Sequence, residues 1–333
     1  MSHEPITIKP ISEVAQFLKN LIPANMPDNY AIKPMFKNIA SEEDIRKGII
    51  AFRDFLYLLC DRLAIDGHLY AKPPKKPKSV MDYPFLHYIT NMLVDIGYYG
   101  KLSEATASKI PAASQKECLE FLILCGFSNN PIMLTGLKVM SIADMELREG
   151  RRYWNDNNLL RCDYRLIKAE ATDVLDILKD YLHPLPEKVQ DFAVKLHKRY
   201  TDLGMTCVTL IDDQHHFAYA YLKNSRKVLS PRDKYYKRVW EFSISLKNGY
   251  CLVVRAKKTD EYADIIETFP PYLREKIAQG YGCDRKLRNE RCQMGCQGIR
   301  IPLDESILDI AGDLETWLNK ETRDGSKKNQ TKN

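Results

Sequence analysis

The segment from Trp240 to Ala256 constrains the fold most strongly, because two arms of alternating apolar and polar residues flank an Asn-Gly step in it. Alternation with a period of two is typical of a half-buried β-strand, and Asn-Gly between two such arms is typical of a β-hairpin. A three-residue loop at residues 247–249 gives one entirely apolar face, which pairs Leu246 with Tyr250, Ile244 with Leu252, and Phe242 with Val254. This register places Glu241 opposite Arg255 on the other face and leaves Cys251 outside the core.

The hairpin belongs to a predicted antiparallel sheet over residues 205–256. Its predicted strands are Met205–Ile211, His215–Leu222, Tyr235–Leu246 and Tyr250–Ala256. Because the connections are short, an antiparallel meander is the expected topology. Helices are predicted before and after the sheet segment in the sequence, at Glu187–Leu203, Thr259–Ile266 and Tyr272–Gln279. This arrangement indicates an α+β fold class, with helices covering one face of the sheet.

The first half of the chain is predicted to be helical. Ser41, followed by three acidic residues, is the expected N-cap of a long helix. Over residues 84–126, a helix that ends at Gly97, a short helical piece and a helix at Ser114–Leu124 follow the order of a winged-helix domain. Because residues 1–150 carry 17 basic and 17 acidic residues, a protein-binding module is the alternative to a DNA-binding domain.

A pair of prolines marks the expected domain boundary. The step His183-Pro184-Leu185-Pro186 starts a new helix better than it continues one. We therefore predict a mainly helical domain at residues 1–183 and an α+β domain at residues 184–320. Within the first domain, Leu159–Ile167 is interpreted as a strand or an exposed linker. Residues 321–333 are polar and are predicted to be a disordered tail.

Basic residues are concentrated in the predicted sheet. Residues 151–333 carry 33 basic and 27 acidic residues, and eleven of the basic ones lie within residues 223–258. Cations interleaved with tyrosines can neutralise phosphates and stack on bases. We therefore predict that an anionic ligand or a nucleic acid binds at Lys234, Tyr236, Lys237, Arg238 and Arg255. The alternative is that these cations only keep a sheet edge soluble and unpaired.

Three cysteines near the C-terminus form a second candidate site. Cys283, Cys292 and Cys296 have the spacing C-x8-C-x3-C, and the basic residues around them favour thiolates. Such a set is suited to zinc, with Cys207 or Cys251 as the fourth ligand, or to thiol redox chemistry. Ordinary loop thiols within residues 283–296 are the alternative.

A third cluster is Asp212-Asp213-Gln214-His215-His216. It is interpreted as a metal or acid–base site, or as a simple turn between strands. If both histidines lie in a strand, they point to opposite faces of the sheet.

The absence of four common sequence motifs narrows the classes of function that the chain can have. The chain has no G-x-G-x-x-G, G-x4-G-K-[ST], G-x-S-x-G or H-E-x-x-H sequence. It has no secretory signal and no apolar run that could cross a bilayer, and its nine cysteines include several in apolar contexts. We predict a cytoplasmic, non-enzymatic protein that binds a ligand or partner and has a regulatory role. A zinc-binding or thiol-redox protein is the alternative, and the oligomeric state is left open.

Three stretches carry a resemblance to a known family. They are NPIMLTGLKVM (Asn130–Met140), LLRCDYR (Leu159–Arg165), and C-x8-C-x3-C-QGIRIPLD followed by LETWL. The chain resembles a family of uncharacterised bacterial proteins, which implies a bacterial, cytosolic setting and no particular activity. The second half also resembles α+β domains of the YjbR type, which implies a fold and no function.

Overall fold

The computed structural model describes residues 6–149, 158–210, 215–220, 238–256, 259–279 and 298–327. Internal contacts divide the chain into a first unit, residues 1–173, and a second unit, residues 174–333. Each unit buries apolar side chains of its own.

The described part of the first unit is helical. Its helices are α1 (Ile11–Leu21), α2 (Glu42–Tyr70), α3 (Pro84–Tyr99), α4 (Glu104–Ala107), α5 (Ala112–Leu124) and α6 (Pro131–Glu149). Short 3-10 turns lie at Pro34–Phe36, Leu159–Arg161 and Tyr164–Leu166.

The second unit combines helices with a five-stranded antiparallel sheet, which confirms the α+β class. The strands are β1 (Thr206–Leu210), β2 (His215–Ala220), β3 (Arg238–Ser245), β4 (Gly249–Val254) and β5 (Ile299–Pro302). The helices are α7 (Val174–Leu182), α8 (Glu187–Asp202), α9 (Ala263–Ile266), α10 (Pro271–Gln279) and α11 (Ala311–Lys327). Two 3-10 segments lie at Thr259–Tyr262 and Glu305–Ile310.

Helix α2 begins as the sequence predicts. Oγ of Ser41 accepts a hydrogen bond from the Asp44 amide at 3.1 Å, and acidic residues fill the first turn. The buried stripe of α2 is Ile45, Ile49, Phe52, Leu56, Leu59 and Leu63. The helix packs against α1 and α6. Neither α2 nor any other helix in the described residues is long and apolar enough to cross a membrane.

Helix α6 approaches α2 and α3 closely because small residues lie at both crossings. A Cβ atom built on Gly136 would lie 2.0 Å from the carbonyl oxygen of Gly48. A Cβ atom on Gly97 would lie 2.1 Å from Oγ of Ser141. Both distances are below any contact that packed atoms tolerate, so the helix spacing requires glycine at these positions.

The winged-helix prediction for residues 84–126 gains no support. Helices α3, α4 and α5 follow in the predicted order. However, α3 continues past Gly97 to Tyr99 and is followed by Gly100 with φ +73°. The described residues of the first unit contain no strand that could form a wing, and their one ladder contact is an isolated bridge between Ile32 and Lys168.

The segment Leu159–Ile167 is neither a strand nor an exposed linker, so that prediction is wrong. Leu159, Leu160 and Cys162 are buried, and the 3-10 turn at Leu159–Arg161 contacts α1, α3 and α6. Cys162 has φ +46°, and its thiol donates to the carbonyl oxygen of Ile49 at 3.8 Å. The apolar residues of Leu159–Ile167 do not alternate as in a strand, because the segment fills a gap between helices.

The sheet has the strand order β1-β2-β3-β4-β5, and all neighbouring strands are antiparallel. The predicted meander is therefore confirmed. Strand β5 was not predicted; it pairs with β4 through Val254–Ile299 and Leu252–Ile301. Four residues are too few to show an alternating pattern, which explains why the sequence did not reveal this strand.

The predicted hairpin register is wrong by two residues. The observed pairs are Trp240 with Val254, Phe242 with Leu252, and Ile244 with Tyr250. The turn occupies residues 246–248, where the Asn248 amide donates to Oγ of Ser245 at 3.2 Å and Gly249 follows with φ +67°. Because a shift of two residues keeps the alternation in phase, the predicted faces are right although the pairs are not.

One face of the sheet is aromatic and packs against α7 and α8. Trp240 stacks on Tyr219 with ring centroids 3.6 Å apart, and Tyr200 of α8 lies 5.3 Å from the Trp240 ring. Phe217 meets Tyr181 of α7 at 5.8 Å. Helix α7 therefore shares the core of the second unit. The boundary between the units lies before α7, whereas the proline pair had predicted it after this helix.

The predicted disordered tail at residues 321–333 is helical as far as Lys327, and residues 328–333 lie outside the described residues. Glu321 and Thr322 are buried. The Tyr262 hydroxyl donates to the Glu321 carboxylate and accepts a hydrogen bond from Nε1 of Trp317 at 3.1 Å. Polar residues that are buried by specific hydrogen bonds leave no apolar stripe, so composition alone suggested disorder.

The α2–α6 crossing provides a stability test. We expect Gly136→Ala to lower the free energy of unfolding by about 1–3 kcal/mol or more, because the new methyl group overlaps backbone atoms of Gly48. The control is Gly312→Ala in α11, where no atom lies within 4 Å and the helix should gain about 0.5–1 kcal/mol. Urea denaturation measures both. Equal stability of the Gly136→Ala variant and the native protein would contradict the close crossing.

Candidate functional site

A β-bulge in β3 shapes the second face of the sheet. Tyr219 pairs with Trp240 but Ala220 pairs with Arg238, so Val239 is an extra residue. Side chains three residues apart in a regular strand point to opposite faces. The extra residue removes this difference and places Arg238 and Glu241 on the same face.

A buried cluster of charges results, which we call the arginine–glutamate cluster: Arg238, Glu241 and Arg255. The Glu241 carboxylate accepts hydrogen bonds from the Arg238 guanidinium and from Nη2 of Arg255, the latter at 2.5 Å. The side chains of Arg238, Glu241 and Arg255 are 4%, 1% and 12% exposed. The two guanidinium groups therefore share this one carboxylate.

Strand β5 approaches this cluster through a glycine. Gly298 has φ +80°, and a Cβ atom on it would lie 2.4 Å from Cγ1 of Val253 and 3.3 Å from Nε of Arg255. Any larger side chain would therefore push the chain away from Arg255. The sequence Gln-Gly-Ile-Arg contains the glycine that this approach requires.

Arg300 adds a third guanidinium to the same face. It pairs with Val253, which pairs with Glu241, so the three side chains project from one side of the sheet. Nε of Arg300 is buried and has no hydrogen-bond partner in the structure. Within the described residues, this sheet face thus carries three guanidinium groups and one carboxylate.

Several other residues of this face are small. Ala218 and Ala220 of β2 and Ser243 of β3 are buried beside the cluster. Cys251 of β4 is also buried, which corrects the prediction that it lies outside a core. Its thiol donates to the carbonyl oxygen of Asn248 at 3.1 Å, and burial raises its pKa.

The structure locates two of the five predicted ligand-binding residues. Arg238 and Arg255 come together at Glu241, and the predicted contact between Glu241 and Arg255 exists although their register differs. Lys234, Tyr236 and Lys237 lie outside the described residues. Sequence reasoning missed Arg300, because the strand that positions it was not recognised.

The predicted cysteine site cannot be placed, since Cys283, Cys292 and Cys296 lie outside the described residues. Within the described residues, no group of three or more Cys, His, Asp or Glu side chains could hold a metal ion. The two proposed fourth ligands differ in position: Cys207 pairs with Tyr219 on the aromatic face, and Cys251 lies on the face of the arginine–glutamate cluster.

The third predicted cluster is only partly described. Asp212, Asp213 and Gln214 lie outside the described residues. The backbones of His215 and His216 are in β2 and pair with Ile244 and Ser243 of β3.

A different histidine, His197 of α8, forms a buried polar contact that the sequence did not indicate. Its Nδ1 lies 2.8 Å from the hydroxyl of Tyr219. Tyr219 also hydrogen-bonds Cys207, and burial raises the pKa of Tyr219 well above its ordinary value. The Tyr219 hydroxyl is thus held neutral between two partners, and we interpret this contact as structural.

The arginine–glutamate cluster should dominate the stability of the second unit. Glu241→Gln leaves two guanidinium groups without their buried carboxylate, and we expect it to lower the free energy of unfolding by about 3–5 kcal/mol. The control is Glu315→Gln, whose partners Arg199 and Lys195 are partly exposed, with an expected cost of about 1 kcal/mol or less. If urea denaturation gave equal losses of unfolding free energy for the two variants, the cluster would stabilise the protein no more than a partly exposed ion pair does.

Thiol reactivity should separate the described cysteines from the others. Burial raises the pKa of Cys60, Cys118, Cys125 and Cys207 to about 12 and raises the pKa of Cys162 and Cys251 as well. At pH 8 only about one thiol in ten thousand with a pKa near 12 is ionised. We expect pulse alkylation with iodoacetamide at pH 8, followed by peptide mass spectrometry, to label these six slowly in native protein and quickly in urea.

Fast native labelling of Cys207, the most exposed of the six, would contradict the expected slow reaction. Fast labelling that is confined to Cys283, Cys292 and Cys296 would support the prediction that basic neighbours favour thiolates there.

Comparison with protein-family models, curated proteins and solved structures found no match to this chain. The resemblance to a bacterial family and to YjbR-type domains therefore stays a prediction.

Proposed function

We propose that the protein is a non-enzymatic binding protein whose ligand is a small anion held at the face of the arginine–glutamate cluster. The observation that carries this proposal is the buried Nε atom of Arg300, which has no hydrogen-bond partner within the described residues. Arg300 projects from the same face of the sheet as Arg238, Arg255 and Glu241. A buried guanidinium donor without a partner is costly unless an acceptor such as an anion compensates it.

Burial of the cations favours a small ligand over a nucleic acid. Proteins that bind nucleic acids use exposed Lys and Arg side chains that follow the phosphate backbone. Here the Arg238 and Arg255 side chains are only 4% and 12% exposed. A ligand that reaches them has to enter the protein, and a small anion can do so more readily than a polymer.

Glu241 has a positioning role in this proposal. Both of its oxygens accept guanidinium hydrogen bonds, which fixes the two arginines before any ligand arrives. Preorganised cations bind an anion more tightly, because fewer side chains have to be ordered on binding. Lys234, Tyr236 and Lys237 lie within the four residues before Arg238 in the sequence, and we propose that they add further cations and an aromatic ring.

The test measures anion binding by isothermal titration calorimetry with inorganic phosphate, ATP and a single-stranded oligonucleotide at low and high salt. We expect phosphate or ATP to bind, and the double variant Lys234→Glu/Lys237→Glu to weaken binding by about tenfold or more. Arg238 is left intact, because its loss would unbalance the buried cluster. The matched control is Lys188→Glu/Lys198→Glu, a double charge reversal at exposed positions of α8.

Each outcome of the titration bears on the proposal. Binding of the oligonucleotide alone, with steep salt dependence, would replace the small ligand with a nucleic acid. If both double variants weakened anion binding equally, the loss of affinity would come from the change in net charge alone. Absence of binding to any of the three probes would overturn the proposed function.

A further inference from the structure

Exposed apolar side chains are concentrated on two helices of the first unit, α2 and α5. The described residues include thirteen large apolar side chains that are exposed, and six of them lie on these helices, each between 42% and 65% exposed. Single exposed apolar residues are normal, but a group of them on one surface marks an interaction site. We call this group the α2–α5 patch, and it consists of Leu58, Ile65, Leu69, Leu119, Ile123 and Leu124.

The two helices lie side by side, so the six residues belong to one surface. The ring of Tyr70, at the end of α2, lies 4.9 Å from the ring of Phe121 in α5. Just after α5, a Cβ atom built on Gly126 would lie 4.0 Å from Cδ1 of Leu58. Helix α5 therefore runs along the C-terminal half of α2 in the opposite direction.

The C-terminal part of α5 is apolar on all sides. Residues 118–125, CLEFLILC, contain one polar residue, Glu120. Cys118, Phe121 and Leu122 are buried, and the Phe121 ring lies 5.4 Å from Phe85 of α3. A helix that is apolar all round is normally buried all round. The exposed side of α5 thus lacks, within the described residues, the cover that its composition requires.

The exposed stripe of α2 has the spacing of a coiled-coil seam. Its members, at intervals of four, three and four residues, are Leu58, Arg62, Ile65 and Leu69. Parallel pairing of two copies about a two-fold axis would place Arg62 against Arg62, which is repulsive. Antiparallel pairing places Leu58 against Leu69 of the other copy. It also brings Arg62 beside Asp66 of the other copy, so the stripe is complementary to itself in this direction.

The charges within the patch favour a second copy over a polyanion. Arg62 pairs with Asp66 at 3.3 Å, and Lys116 pairs with Glu120 at 3.7 Å. Both signs are present without an excess of positive charge. Nucleic acids and anionic membranes bind to basic surfaces, whereas a self-complementary contact needs both signs on one surface.

The size of the patch also fits a dimer. Apolar side chains of this size that are about half exposed present roughly 50–100 Å² each. The six together therefore reach about 300–600 Å², the size of the largest apolar patch on a typical monomer. A standard interface buries about 800 Å² on each side, and about 65% of a homodimer interface is apolar. The patch can supply the apolar part of such an interface.

We propose that the α2–α5 patch is the contact surface of a two-fold homodimer in which the two copies of α2 pack antiparallel. The exposed side of α5 then packs against the other copy beside α2. The dimer is independent of the proposed anion site, because every residue that it requires lies in the first unit.

The experiment is sedimentation equilibrium of the full chain over a range of micromolar concentrations. We expect a reversible dimer, and we expect Ile65→Glu and Ile123→Glu each to raise its Kd by about tenfold or more, because a carboxylate would be buried without a partner. The matched control is Leu203→Glu, which adds the same charge at an exposed apolar residue after α8 and should dimerise as the native protein does.

Cysteine cross-linking tests the antiparallel pairing. In a chain with Leu58→Cys and Leu69→Cys, the two positions are about 16 Å apart along α2, too far for a disulfide within one chain. We expect mild oxidation to give a covalent dimer of the double variant in much higher yield than of Leu58→Cys alone. The native protein reports any cross-linking by its nine cysteines.

Three outcomes would overturn the proposal. The first is native protein that sediments as a monomer at all concentrations, and the second is a dimer that neither glutamate variant weakens. Circular dichroism confirms that the variants fold, which is expected because both positions are exposed. The third is a monomer that binds phosphatidylcholine vesicles containing phosphatidylserine and loses this binding in Ile65→Glu. That result would assign the patch to a membrane, with the four lysines of residues 72–78 as its basic component.

Discussion

The second unit depends on one carboxylate, that of Glu241, which lies between two guanidinium groups inside the protein. Its burial would be prohibitive without both partners, and either arginine would be equally costly alone. The bulge at Val239, the glycine at 298 and the small residues of β2 all serve this arrangement. They bring the charges together and let β5 approach the cluster. The same features that stabilise the cluster therefore shape the proposed anion site.

The first unit is held together differently, by helix backbones that approach closely at glycine residues. Helix α6 contacts α2 and α3 where Gly136 meets Gly48 and Ser141 meets Gly97. Close backbone approach leaves no room for rearrangement and gives dense packing along three helices. The buried segment at Leu159–Arg161 then completes this core.

Local periodicity predicted much of the fold, and it was wrong where tertiary contacts decide the outcome. The helices, the four-strand meander and the two faces of the hairpin follow from residue spacing alone. The register was wrong because Ser245 accepts the hydrogen bond of the turn, a local contact that apolar pairing does not reveal. Strand β5 and the end of α11 were missed because a short strand and buried polar residues, such as Glu321, carry no apolar pattern. Of the candidate site, Arg238 and Arg255 were predicted, whereas the position of Arg300 depends on how β5 pairs.

The bulge has a consequence for how this chain can change over evolution. A slip of one residue that paired Val239 with Ala220 would give a more regular ladder between β2 and β3, which ordinarily favours a sheet. It would also turn Arg238 to the face of Trp240 and Tyr219, where a guanidinium would have to be buried among aromatic rings. Loss of the bulge by such a slip should therefore be selected against, whereas deletion of Val239 would keep Arg238 on the face of Glu241. The turn at residues 246–248 can vary in length with little effect on which side chains share a face, provided the change is even.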